Sequence, residues 1–226
     1  MTKRNATVPL NYPADHVWAY AVEAHRANGG YYKKTEWDSD DNGDIVQTRV
    51  SNKEMVLSML KILEKPNNAM LAAGQEYREF WQGQMLQLLT DGVNDFVKTV
   101  IVVAEKDTIE SELELSVVVS CIESADKQKK NQQLEHRKRS LNSGWRYSVG
   151  SPVEFRSDVE VICCRYLDKI GAYAVDSIID GDLYFWWSQR DVAVKTYKYL
   201  TARVKKTDVD FYTKVPVTQL NYVKVL

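Results

Sequence analysis

Gly181-Asp182-Leu183-Tyr184-Phe185-Trp186-Trp187-Ser188 decides how the second half of this chain folds. Four consecutive aromatics after a Gly-Asp turn predict a strand, because bulky rings lose rotamer freedom in a helix and stand freely on alternate faces of a sheet. Leu183, Phe185 and Trp187 then point one way, and Tyr184, Trp186 and Ser188 the other. A half-buried strand needs only one apolar face. The second aromatic pair is therefore either covered by another element or left to stack on a ligand. The expectation is that Phe185 and Trp187 lie inside, with Tyr184 and Trp186 available.

Working outward from that strand, short β-rich segments recur at close spacing: Val159 to Tyr166, Tyr173 to Ile179, Tyr197 to Lys206 and Thr218 to Val225. With Leu183 to Ser188 this makes five strands, and Ser148 to Phe155 reads as an entry loop and short edge. The count and size predict a small OB-like β-barrel over 145–226.

The residues before it read differently. Helical stripes are expected over 12–28, from the Ser51-Asn52-Lys53-Glu54 capping box to about Leu63, from about Ala69 to Leu89, after Asn94 or Asp95 to Ala104, and over Glu110 to Glu123. Thr90-Asp91-Gly92 breaks the pattern between the third and fourth. Tyr31 to Trp37 and Asp44 to Val50 flank Asn42-Gly43 as a β-hairpin. Its turn starts like a calcium loop, with Asp38, Asp40, Asn42 and Gly43, but Arg49 stands where the closing bidentate Glu is needed. The fold class is thus α+β: a mainly helical domain over 1–126 with one hairpin, a basic linker over 127–144, and the barrel.

Charge divides the same way. Residues 1 to 126 hold 12 Lys+Arg against 20 Asp+Glu, and residues 127 to 226 hold 18 against 11, within a chain of net charge -1. A basic half suits a polyanion, and an acidic half suits another partner or a solvated face. Lys127, Lys129, Lys130, Arg137, Lys138 and Arg139 make the linker either a solvated tether or an arm along phosphates. No secretory leader or membrane span is expected. Three cysteines give no disulfide framework, the Asn5-Ala6-Thr7 sequon reads as chance, and the protein is placed in the cytoplasm. His16, His25 and His136 are scattered, and neither a nucleophile elbow nor a phosphate-binding glycine loop occurs. No catalytic residue, metal or cofactor is assigned, and the chain does not read as an enzyme.

Gly171 and Tyr173, then Gly181-Asp182 with Phe185 and Trp187, then Ala202-Arg203-Val204-Lys205-Lys206 and Thr218-Gln219-Leu220-Asn221-Tyr222-Val223-Lys224-Val225 make this region similar to an OB-like domain near the carboxy termini of tailed-phage proteins. Gln75-Glu76-Tyr77-Arg78, Phe80-Trp81-Gln82-Gly83 and Asn94-Asp95-Phe96 resemble the same uncharacterised family, so the resemblance spans most of the chain. It implies a phage protein acting in the host cytoplasm, and it brings no catalytic signature.

Binding of single-stranded DNA or RNA needs aromatic planes for bases and cations along the backbone. Tyr166, Tyr173, Tyr184 and Trp186 are the candidate planes, and Arg165, Lys198, Arg203, Lys205, Lys206 and Lys224 the candidate cations. The expected function is a phage accessory factor that binds single strands in replication, recombination or repair, with the acidic half available to a phage or host replication protein. The alternative is a protein-interaction or anti-defence adaptor without nucleic-acid binding.

Overall fold

The computed structural model describes residues 10–40, 42–62, 65–89 and 94–225. The Asn5-Ala6-Thr7 sequon, Asp41 in the hairpin turn, Leu63 and the Thr90-Asp91-Gly92 break lie outside them. The chain divides into two compact units, Met1–Lys129 and Lys130–Leu226.

In the first unit a short strand β1 (Tyr12–Pro13) leads into α1 (Ala14–Asn28), whose Val17, Trp18, Ala21 and Val22 are buried. Gly29 closes the helix at positive φ, with its N–H on the Arg26 carbonyl, a conformation glycine adopts without a Cβ clash. The hairpin follows as β2 (Glu36–Ser39) and β3 (Ile45–Arg49). α2 (Asn52–Lys61) starts at Ser51, whose hydroxyl accepts from the Glu54 N–H. Side-chain caps Asn67 and Asn94 open α3 (Asn68–Gln82) and α4 (Asp95–Ala104), with a 3₁₀ turn over Met85–Leu89 between them.

α1 and α3 pack closely because Gly74 presents no side chain. A Cβ there would lie 2.5 Å from the Ala19 nitrogen. One turn on, buried Arg78 donates to the Ala104 and Lys106 carbonyls and pairs with Asp15. β4 (Thr108–Ile109) pairs with β1. Ser111 and Glu114 then form a capping box for α5 (Glu112–Arg139), each side chain accepting the other's backbone N–H. The basic stretch read as a linker over 127–144 is helical as far as Arg139, and the boundary between the units falls inside α5.

The second unit corrects the five-stranded barrel. It is a curled, open sheet of seven strands: β5 (Pro152–Phe155), β6 (Val159–Leu167), β7 (Ala172–Ile179), β8 (Asp182–Ser188), β9 (Thr196–Tyr197), β10 (Leu200–Val209) and β11 (Pro216–Val225). Their order is β5-β10-β11-β8-β7-β6-β9, and β8 and β11 run parallel while the other neighbours are antiparallel. Two physical features produce this. The entry segment Pro152–Phe155 hydrogen-bonds along β10 as a full edge strand. Thr196–Tyr197 pairs with the start of β6 at the opposite edge, so the two ends of the sheet carry different strands and do not close on each other.

The predicted alternation along β8 holds, but the expected choice of faces is reversed. Tyr184 and Trp186 are only 1% and 2% exposed, in a core with Phe155, Val159, Val161, Val175, Ile179, Leu200, Val204 and Leu220 on the inner face of the curl. Opposite them across β7 stand the smaller Ser177 and Val175, so large and small side chains alternate to fill a tight curve. The Phe155 ring meets Tyr184 edge-on at 5.1 Å. Leu183 and Phe185 belong to the outer face, where Leu183 packs with Val215 and Val217. Trp187 follows them outward and is 39% exposed.

Candidate nucleic-acid interface

Strand register places a row of side chains straight across the outer face. Arg165 on β6 pairs with Ala174 on β7, and Ala174 with Trp187 on β8. Trp186 pairs with Leu220, which puts Trp187 beside Asn221 on β11. Asn221 pairs with Arg203 on β10, and Arg203 with Pro152 on β5. Two strand spacings, about 10 Å, separate the indole from the guanidinium-bearing strand on either side.

A β-bulge completes the row. Between the pairs Thr201 to Lys224 and Arg203 to Asn221 the register slips by one residue on β11. The extra residue is Tyr222, at φ 55 and 81% exposed. Position one of such a bulge is a left-handed site that favours glycine, so a tyrosine there carries backbone strain with little burial to compensate it. Its ring lines an open groove with Pro152, Thr201, Arg203 and Lys224. A second bulge, between Val204 and Lys206, turns Lys205 into solvent.

Electrostatics separate the predicted cations into two groups. Lys198 pairs with Asp158 and Lys206 with Asp208. Arg165, Arg203, Lys205 and Lys224 form no ion pair among the described residues. The basic stretch of α5 is mostly compensated: Lys127 pairs with Glu123, Lys129 with Glu76, Arg137 with Glu160, Lys138 with Asp176 and Asp210, and Arg139 with Glu135. Arg165, Arg203 and Lys224 thus lie on the outer face of the sheet without a carboxylate partner.

Of the predicted aromatic planes, none joins this row. Tyr184 and Trp186 are core, and burial drives the Tyr184 hydroxyl well above the usual tyrosine pKa, with Asp182 adding to the effect. Tyr166 and Tyr173 pair across β6 and β7 on the inner face, rings 5.0 Å apart. Sequence reading missed Trp187, Asn221 and Tyr222. Strand phase was the only signal for Trp187, and nothing local marks Tyr222, since a left-handed bulge is normally announced by glycine.

Lys138 is the most enclosed cation among the described residues of this unit. Its ammonium donates to Asp176 Oδ2 at 2.9 Å and to Asp210 Oδ2 at 3.4 Å. Burial alone would lower its pKa, but the two carboxylates outweigh that and hold it above the ordinary lysine value. Beside them Cys163 has its thiol pKa raised, by burial first and then by Asp176, which argues against a nucleophilic thiolate. No cluster of metal-ligating side chains occurs among the described residues, and no helix there is long and apolar enough to cross a membrane. Comparison with protein-family models, curated proteins and solved structures finds no match to this chain.

Proposed function

We propose that the chain binds single-stranded nucleic acid across the outer face of its curled sheet. Trp187 and Tyr222 stack bases, and Arg165, Arg203, Lys205 and Lys224 hold phosphates. The observation that carries this reading is a solvent-facing tyrosine, Tyr222, held at positive φ in one groove with two uncompensated cations, Arg203 and Lys224. Strained backbone that displays a ring to solvent contributes nothing to the core, and such strain clusters at ligand sites. A role in DNA replication, recombination or repair is proposed with it, and rests on single-strand binding by this face alone.

Titrating the protein with oligo-dT while following tryptophan fluorescence tests the proposal. Quenching is expected at low salt, with log affinity falling against log salt at a slope of about -3 for four phosphate contacts on a single strand. Trp187→Ala weakens binding on the order of tenfold, one stacked base. Absence of binding at low salt overturns the proposal.

A second reading, docking of another protein, is favoured by the β2–β3 hairpin. Every residue of its two strands is exposed, including Trp37 and Ile45. Trp37→Ser with full retention of partner capture would count against it.

A further inference from the structure

We propose that the cavity beside Arg165 is a base-reading pocket that prefers cytosine to thymine; this rests on the single-strand reading above. The cavity holds about 310 Å³ and lies wholly within the second unit. That is the lower end of the range for ligand sites, suited to one nucleobase. Arg165 is both in its wall and at the end of the cross-strand row, so a strand whose phosphate sits on Arg165 delivers an adjacent base to the opening.

Tyr212 stands at the mouth and is 68% exposed. Its turn is fixed rather than loose. Asp210 Oδ1 accepts from the Tyr212 N–H at 3.2 Å, and from the Thr213 N–H and hydroxyl at 2.8 Å each. A ring held by its backbone loses little freedom when a base stacks on it. Leu134 of α5 provides apolar wall nearby.

The interior offers an acceptor beside donors. Asp210 has one oxygen occupied by the turn and the other facing Lys138. Asp176 accepts from Lys138 through Oδ2, which leaves Oδ1 for a ligand. An ammonium has three N–H groups, and two of those on Lys138 are used, so one remains in a cavity that Arg165 also lines. Of the other polar groups lining the cavity, Glu135 is paired with Arg139, and Asn131 and Thr213 are neutral. Cytosine presents an amino donor next to ring and carbonyl acceptors, which complements a carboxylate next to cationic donors. Thymine places a carbonyl oxygen where cytosine has the amino group, and two acceptors would face each other. Folding favours the charged form of two of these groups: Lys138 titrates above the ordinary lysine value. Asp210 titrates below the ordinary aspartate value, because the Thr213 donors and Lys138 outweigh its burial.

The test compares oligo-dC with oligo-dT on the full chain, two pyrimidines of similar stacking strength. Oligo-dC is expected to bind on the order of tenfold tighter, one charged hydrogen bond gained against one acceptor clash. Tyr212→Ala should lower oligo-dC affinity more than oligo-dT affinity. Asp176→Asn, checked for an unchanged fold by circular dichroism, should reduce the preference to less than about twofold. Equal affinity for the two oligonucleotides in the native chain, with the salt dependence intact, overturns the pocket and leaves single-strand binding standing. A preference that survives both substitutions also overturns it. Failure of both oligonucleotides to bind removes the single-strand reading itself.

Discussion

Replacing Tyr222 should move stability and binding in opposite directions. An L-residue in the left-handed region costs roughly 1–2 kcal/mol, and the ring, 81% exposed, recovers little of that by burial. Glycine removes the clash but loses roughly 0.5–1 kcal/mol more conformational entropy on folding. The net gain for Tyr222→Gly is therefore about 0.5–1 kcal/mol, a rise of about 1–4 °C in the melting temperature for a chain of this size. Binding should fall by roughly 1–3 kcal/mol, the contribution of one stacked base, or about 5- to 150-fold in affinity. Tyr222→Ala separates the two effects: it keeps a Cβ and the strain, so it should lose the affinity without the gain in stability. Thermal melts and oligo-dT titrations of the three proteins provide the readout. If the glycine protein is no more stable than the alanine protein, the strain argument fails. If the glycine protein binds as tightly as the native chain, Tyr222 is not a stacking residue.

Three further outcomes follow from packing and charge. Gly74→Ala, which in an open helix interior would stabilise by about 1 kcal/mol, should instead destabilise by about 1–3 kcal/mol because its Cβ meets the α1 backbone at Ala19 and Trp18; urea denaturation showing a gain would refute the close approach. Trp186→Ala should cost about 3–5 kcal/mol as a core deletion, whereas Trp187→Ala on the outer face should cost under about 1 kcal/mol, a contrast readable in the same urea curves. The Lys138 cluster predicts a plateau of stability in pH. Folding lowers the Asp210 pKa, so its contribution is complete above the ordinary 3.8 and disappears as pH falls through the folded value. Folding raises the Lys138 pKa, so its contribution is complete below 10.5 and disappears as pH rises through the folded value. Melting temperatures across that range should be flat in the middle, and Lys138→Met should make the alkaline decline shallower, the remainder coming from buried groups such as Tyr184 whose pKa folding also raises.

Much of the architecture was legible in local sequence, because its determinants are local. Helix caps at Ser51 and Asn94 compete for nearby N–H groups, and their side chains lie within one turn of the donors they satisfy. The apolar stripe of α1 and the alternation along β8 follow from backbone periodicity alone. Strand count failed at the short edges β5 and β9, since two to four residues carry almost no periodic signal and pair only because a neighbour offers a free edge. The cations of the candidate interface were visible as residue types, but compensation was not: Asp158, 40 residues before Lys198 in the sequence, meets it only through the fold.

The clearest division lies in Gly181 to Ser188. Composition and alternation by themselves determined that this stretch is a strand with one aromatic pair on each face. Only the tertiary structure decided which face is which, because the choice belongs to the partners: Val175 and Ser177 on β7, Leu220 on β11 and Phe155 on β5 all present their side chains to the Tyr184 and Trp186 side. Those residues lie up to tens of positions away, and the side of the sheet on which their apolar surface accumulates is a property of the assembled register. The same register aligns Arg165, Trp187 and Arg203 in one row and pushes Tyr222 out of β11. Hydrophobic burial fixes the inner face once, and every other strand's phase then follows from hydrogen-bond pairing to it.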